Sequence, residues 1–144
     1  MALEEGSLPQ GLTLPQGLTV AYLRRMAGVS EEWNITITAE RLDPCVVFST
    51  RWDGGKSATI FVNTRYRYSP AALARGISHE LLELNDVESW HIFLEALRLI
   101  GKERGELEIR YRRVRDEKIE RHLGRIPYWT RTDVPVPAEE HLCS

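Results

Sequence analysis

The stretch CVVFSTRWDGGKSATIFV, residues 45–62, decides the fold of this chain. Two apolar, β-branched runs at residues 45–52 and 57–62 flank the tetrapeptide Asp53-Gly54-Gly55-Lys56. β-Branched and aromatic side chains favour strands, and the two glycines supply the positive φ angles that a tight hairpin turn requires. The stretch therefore predicts two antiparallel strands joined by a short turn.

Further elements are predicted on both sides of the hairpin. Upstream, residues 33–39 alternate between apolar and polar side chains, which is typical of a third strand. Downstream, Ser69 and Pro70 suit the cap and the first position of a helix that runs to about Leu84. A shorter amphipathic helix is predicted at residues 20–27. Together these patterns predict an α+β fold in which a small antiparallel three-stranded sheet packs against helices.

The residues around Gly28 resemble the turn of a helix-turn-helix DNA reader, in which a glycine precedes the recognition helix. Residues 31–38, however, alternate and are β-branched, so they predict a strand where that helix would have to be. Glu31 and Glu32 would also repel phosphates. The formal net charge of −2 provides no global field that favours nucleic acid or an anionic membrane. We therefore expect neither nucleic acid nor membrane as a direct ligand.

Length and composition predict one domain with two flanking segments. A chain of 144 residues with 42% hydrophobic content suits a single modest core, which we place at residues 19–125. Residues 1–18 are predicted to form an extended arm. The arm carries most of a direct repeat of Leu-Pro-Gln-Gly-Leu-Thr, whose two copies occupy residues 8–13 and 14–19. Residues 126–144 are predicted to form a proline-containing tail. Cys45 and Cys143 allow a disulfide without indicating one. No apolar run is long enough to span a membrane and no secretory signal is recognised, so a cytoplasmic location is predicted.

Two more helices are predicted after Leu84. Asn85 and Glu88 fit the two ends of a capping box, and the helix that follows continues to Gly101. Of the twenty residues 102–121, fourteen are charged, which is typical of a solvated surface element. Both strand and helix periodicities fit this run, and we favour a helix.

The sequence SHELLEL, residues 78–84, carries the candidate chemistry. On a helix, His79 and Glu83 lie four positions apart and project from the same face, with Glu80 beside them. This pattern differs at one position from the His-Glu-x-x-His signature of zinc hydrolases, because Glu83 stands where the second histidine is found. Zinc accepts carboxylate oxygen, although the commonest catalytic sites keep two imidazoles.

With three strands, the third containing ATIFVN at residues 58–63, followed by RGISHELLEL at residues 75–84, the chain resembles the minimal gluzincin-type metallopeptidases and their phage and anti-stress relatives. The resemblance covers roughly residues 33–100. It implies a zincin-like fold with zinc as cofactor, His79 and Glu83 as ligands, and Glu80 as general base. It also implies a third ligand on the next helix, where Glu88 and His91 both lie in a suitable direction.

The carboxylate at position 83 changes what such a site would do. It lowers the net positive charge around a bound metal, so a coordinated water would be less acidic than in the family. It could also shift the metal preference towards iron or manganese, which accept mixed nitrogen and oxygen ligands. The motif also has a purely structural interpretation. In that interpretation Leu81 and Leu84 lie in the core, Glu80 and Glu83 lie in water, and His79 is buried and hydrogen-bonded.

These observations lead to two predictions of function. The first is a non-catalytic binding or regulatory protein on a metallopeptidase-like scaffold, without a cofactor, such as a phage factor that binds a larger host enzyme like RNA polymerase. Its protein-binding residues would be the arginines of the charged run and the aromatics before the tail: Arg110, Arg112, Arg113, Arg115, Tyr128 and Trp129. The alternative is an active metal-dependent hydrolase that uses His79, Glu80 and Glu83.

Overall fold

The computed structural model describes residues 8–85, 104–123 and 135–138. In chain order these contain α1 (Val20–Ala27), β1 (Asn34–Glu40), β2 (Phe48–Gly54), β3 (Ser57–Asn63), β4 (Tyr66–Arg67), α2 (Pro70–Leu84), α3 (Arg104–Leu123) and β5 (Val136–Pro137). The predicted α+β class is confirmed. None of the described helices is long and apolar enough to cross a membrane.

The main sheet has three strands in the order β1-β3-β2. β2 and β3 form the predicted antiparallel hairpin, and Gly54 and Gly55 adopt φ angles of 105° and 54° in its turn. β1, in contrast, runs parallel to β3, so the prediction of a wholly antiparallel sheet is wrong for this pair. Alternating side chains indicate a strand with one buried face but do not reveal the direction of its partner.

The parallel pairing depends on how the chain passes from β1 to β2. Residues 41–47 carry it from one edge of the sheet to the other, around the end of β3. The side chain of Asn63, fully buried, organises this loop: its Oδ1 accepts from the Leu42 backbone N–H at 3.1 Å, and its Nδ2 donates to the carbonyls of Asp43 at 3.0 Å and Val46 at 2.6 Å. Buried polar groups are tolerated when they are satisfied in this way.

The core lies between the inner face of the sheet and α2. Ile37 and Ile60, which are register partners, project towards this face, and Leu73, Ile77 and Leu81 of α2 are completely buried against it. The helix begins as predicted, because the Ser69 hydroxyl accepts from the Ala72 N–H at 3.1 Å and Pro70 follows at the first helical position. The candidate motif therefore lies on a helix that is anchored by the core.

α1 is also confirmed. Thr19 caps its start by accepting from the Tyr22 N–H at 3.1 Å. Gly28 ends it in the left-handed conformation with φ of 74°, while the Val29 N–H reaches back to the carbonyl of Arg24 at 3.0 Å. The next element is β1, so the resemblance to a helix-turn-helix DNA reader ends at this turn.

The repeat in the N-terminal arm corresponds to a repeated turn. The N–H of Leu12 donates to Pro9 and that of Leu18 donates to Pro15, with Gly11 and Gly17 at φ angles of 89° and 88°. A positive φ at the third position of a turn is the reason for glycine in each copy. Four leucines of the arm are thereby packed, partly buried, against the core: Leu8, Leu12, Leu14 and Leu18.

α3 confirms the preference for a helix in the charged run. The short strands β4 and β5 form a second, antiparallel sheet, so the described part of the tail is extended, as predicted. Cys45 is disulfide-bonded. The helix predicted after Asn85 lies outside the described residues.

Candidate functional site

α2 brings the three residues of the sequence motif together. The Nδ1 atom of His79 lies 3.7 Å from Oε1 of Glu83 and 3.9 Å from Oε2 of Glu80. One potential ligand atom from each of the three lies within 4.8 Å of the others. The spacing of four residues therefore places a nitrogen and two carboxylates in one cluster, as the sequence predicts.

Glu80 is the buried member of the cluster. Only 5% of the residue is exposed, and its Oε2 atom has no hydrogen-bond partner within the described part of the chain. Leu81 and Leu84 are buried, as the purely structural interpretation of the motif predicts. That interpretation also places Glu80 in water, and this part of it is wrong. A buried carboxylate oxygen without a partner is costly, which makes this residue a candidate for a functional role.

Helix α3 supplies two residues that sequence analysis did not place beside the motif, although it named Arg115 as a protein-binding residue. The Arg115 guanidinium lies 3.4 Å from Oε1 of Glu83, and Oε1 of Glu120 lies 3.7 Å from Nε2 of His79. Arg75 of α2 forms an ion pair with the other oxygen of Glu120. No local pattern distinguishes Arg115 or Glu120 within the charged run, because only the packing of α3 against α2 decides which of its charges face the cluster.

His79 and Glu83 bind protons more tightly than the isolated groups would. Burial opposes the charged imidazole, but the proximity of Glu80 and the charges of the neighbouring carboxylates outweigh burial and raise the pKa of His79. Burial, followed by the negative charge of Glu80, raises the pKa of Glu83 to about 8, although Arg115 and His79 partly offset this. A cationic ligand would compete with these protons.

A cavity of about 200 Å³ opens beside His79. Its lining comes from the start of β2, from α2 and from the residue before β5: Val47, Phe48, Ala72, Arg75, Gly76, His79 and Pro135. The Phe48 ring lies so close to Gly76 that a Cβ atom there would be 2.1 Å from the ring. The absence of a side chain at Gly76 thus allows the aromatic wall to approach the helix one turn before His79.

A second cavity, of about 320 Å³, lies between α2 and α3. It is lined by Leu82, Asn85, Tyr111, Val114, Arg115, Lys118 and Ile119. Since Arg115 belongs both to this lining and to the His79 cluster, the two features share the interface between the helices.

Of the other predicted site residues, four lie outside the described part of the chain and four lie on α3. Glu88, His91, Tyr128 and Trp129 lie outside the described residues, so a third ligand on the next helix and an aromatic docking segment stay predictions. Arg110, Arg112 and Arg113 lie exposed on α3, whereas Arg115 is only 21% exposed and faces Glu83. The four arginines therefore do not share one surface.

The chain matches no protein-family model, no curated protein and no solved structure. The resemblance to gluzincin-type metallopeptidases therefore stays a prediction from the order of elements and from the sequence at His79, Glu80 and Glu83.

Proposed function

We propose that this chain is a non-catalytic binding protein on a metallopeptidase-like scaffold. The proposal is supported chiefly by the contact of 3.4 Å between Arg115 and Glu83. Position 83 is where a zinc hydrolase keeps its second histidine ligand. A guanidinium beside Glu83 supplies positive charge that a metal ion would supply in an active site.

The charges of the cluster are matched by the protein's own side chains. Three acidic side chains, Glu80, Glu83 and Glu120, face three basic ones, His79, Arg75 and Arg115. His79 can carry its charge because its pKa is raised. Such a network does not require a metal for neutrality, and its evident consequence is to hold α3 against α2.

The partner in this proposal is a protein, and a larger host enzyme such as RNA polymerase bound by a phage-type factor is the specific candidate. The exposed arginines of α3, Arg110, Arg112 and Arg113, would meet an acidic surface of that enzyme. Charge reversal tests this. Arg113→Glu should weaken binding to purified host RNA polymerase at low salt, whereas Arg25→Glu, the same change of charge at an exposed position of α1, should leave it unchanged. Equal affinity of both variants and the wild type would remove α3 from the interface.

Metal content tests the non-catalytic assignment. Protein purified without a histidine tag should contain less than stoichiometric zinc, iron and manganese, and a chelator should not shift its melting temperature. Stoichiometric metal, together with peptide cleavage that Glu80→Gln abolishes, would contradict the proposal.

Restoring the second histidine gives a sharper version of this experiment. Glu83→His alone should bind zinc weakly, since Arg115 would then face the metal, and Glu83→His combined with Arg115→Gln should bind it more tightly. Zinc titration followed by calorimetry measures the difference. Equal zinc affinity of the wild type and the double variant would show that position 83 does not limit metal binding.

A metal-dependent hydrolase is the second candidate, and the buried, unpartnered oxygen of Glu80 favours it. The donor set fits a divalent ion, since His79, Glu80 and Glu83 are close together and Glu120 faces the second nitrogen of His79. His79 and Glu83 would hold the ion, Glu120 would help to orient the imidazole from its other nitrogen, and Glu80 would accept a proton on its free oxygen. When bound, the ion would supply an acidified water and polarise a carbonyl group.

A further inference from the structure

The cavity beside His79 combines an apolar lining with the basic side chains of one helix. Four apolar side chains form most of its wall: Val47, Phe48, Ala72 and Pro135. The basic side chains in the lining are Arg75 and His79, and their spacing of four positions places them on the same face of α2. The volume of about 200 Å³ is smaller than that of sites for drug-sized ligands, so the cavity suits a small molecule or a single side chain.

A carboxylate of the protein itself already contacts this basic pair. One oxygen of Glu120, on α3, forms an ion pair with Arg75, and the other lies 3.7 Å from Nε2 of His79. Glu120 is not among the described residues that line the cavity, so its carboxylate reaches the pair without filling the apolar space. Arg75 and His79 are therefore placed to share one carboxylate, with one oxygen facing each.

Arg75 provides the permanent charge of this pair. Its guanidinium stays protonated at every pH at which the protein is folded, and it carries five N–H donors in one plane. Within the described part of the chain, its Nη2 atom donates to Glu120 and its other nitrogens have no partner. The side chain is only 26% exposed. A planar, partly buried guanidinium with unused donors favours a carboxylate as its ligand.

The charges around the pair favour exchange with Glu120 over addition of a second anion. Glu80 and Glu83 already lie beside His79, so a further carboxylate would add negative charge to a crowded acidic site. The Glu120 side chain is 45% exposed, and an ion pair at such a position contributes little to stability. Glu120 can therefore turn towards water while another carboxylate takes its place, and an apolar group on that ligand gains contact with the cavity wall.

We propose that the cavity beside His79 binds a small monocarboxylate with a branched aliphatic or aromatic body, whose carboxylate replaces Glu120 between Arg75 and His79. The apolar body lies against Phe48 and Pro135. Such a carboxylate belongs either to a free acid or to the C-terminus of a protein that ends in an apolar residue. The inference goes beyond the proposed protein-binding function, because it does not involve the exposed arginines of α3.

Ligand titrations of the full-length chain test the recognised chemistry. Isovalerate should bind and shift the NMR signal of the Gly76 amide, which lies in the cavity lining. Isovaleramide lacks the charge and acetate lacks the apolar body, so each should bind at least about tenfold more weakly. A chelator in every titration removes the alternative that the carboxylate binds a metal ion. Equal binding of isovalerate and isovaleramide would overturn the proposal.

A peptide series distinguishes the two sources of the carboxylate. A short peptide that ends in a free leucine is compared with isovalerate and with the same peptide amidated at its C-terminus. Tighter binding of the free peptide than of isovalerate would identify a protein C-terminus as the ligand, and the reverse order would identify a free acid. In both cases the amidated peptide should bind at least about tenfold more weakly than the free one.

Variants test the exchange with Glu120. Arg75→Gln should weaken the binding of isovalerate at least about tenfold. Glu120→Gln should strengthen it about two- to fivefold, because the competing carboxylate is lost, and a merely destabilised protein would not show this gain. Glu117→Gln, at an exposed position of the same helix, is the matched control and should bind as the wild type does. Binding by Glu120→Gln no tighter than by the wild type, or no binding of isovalerate to either, would overturn the proposal.

Discussion

Glu83 differs from an ordinary surface glutamate in its proton affinity. It is 23% exposed, and burial together with the nearby Glu80 raises its pKa to about 8. A carboxyl group whose pKa is raised on folding binds more protons in the folded than in the unfolded state. The pKa of His79 is raised as well, so both groups influence stability in the same direction.

The free energy of unfolding should therefore fall as the pH rises. The stabilisation that Glu83 contributes by binding a proton is fully present below its unfolded pKa of about 4.5. It is lost as the pH rises to the folded pKa of about 8. We expect the wild type to lose on the order of 2 kcal/mol relative to Glu83→Gln between these limits. Urea unfolding at several pH values measures this. Glu117→Gln, at an exposed position of α3, is the matched control, and a parallel pH profile of wild type and Glu83→Gln would refute the expectation.

Gly76 shows how one missing side chain shapes the site. Glycine within a helix normally costs about 1 kcal/mol relative to alanine, so Gly76→Ala would stabilise an exposed helix. Here the added Cβ would meet the Phe48 ring at 2.1 Å. Because overpacking costs roughly 1–3 kcal/mol, we expect Gly76→Ala to destabilise the protein by about 1–2 kcal/mol.

A double-mutant cycle checks this cause. Phe48→Ala removes the ring, so Gly76→Ala in that background should be neutral or stabilising, and chemical denaturation of the four proteins yields the coupling energy. A Gly76→Ala variant that is more stable than the wild type would show that the ring moves away without cost.

At the scale of elements, α2 and α3 are joined by charge as well as by apolar packing. Ile119 is the described residue of α3 that is buried in the core, and Arg115 approaches Glu83 one turn earlier. Exposed ion pairs stabilise proteins little, but Arg115 and Glu83 are both mostly buried. The loss of one partner would leave the other in a poorly solvated position.

Arg115→Gln should lower the free energy of unfolding by about 1.5 kcal/mol at pH 8, because Glu83 would lose its guanidinium neighbour. The pKa of Glu83, measured by NMR titration, should rise further in this variant. Arg113→Gln, at an exposed position of the same helix, should change neither quantity. An unchanged pKa of Glu83 in Arg115→Gln would show that the two side chains do not interact in solution.

At the scale of the whole molecule, the topology depends on the loop between β1 and β2. Asn63, at the end of the central strand, bonds this loop through both ends of its amide, and its own carbonyl accepts from the Tyr68 hydroxyl at 2.6 Å. The same residue thus connects the crossing of the chain with the segment that leads into α2.

Asn63→Asp tests this connection, because it keeps the acceptor for Leu42 and removes the donor to Asp43 and Val46. A carboxylate there would face two carbonyl oxygens without a proton between them, so we expect a loss of about 3 kcal/mol in thermal or urea unfolding. Thr64→Ala, at the exposed neighbouring position, should cost less than about 0.5 kcal/mol. Similar stabilities of the two variants would contradict the assigned role of Asn63.

The sequence by itself determined the local elements and the proximity of His79, Glu80 and Glu83. Turn glycines, the cap at Ser69 and the helical spacing of four residues act over short distances, so they can be recognised without knowledge of the fold. Only the tertiary structure decided that β1 runs parallel to β3, that Arg115 and Glu120 face the cluster, and that the residues after Pro135 pair with β4. Each of these features depends on partners that are distant in sequence. The alternation of apolar and polar side chains is the same in parallel and antiparallel strands. A run of mixed charges has no apolar periodicity that would mark the face of the helix turned inward.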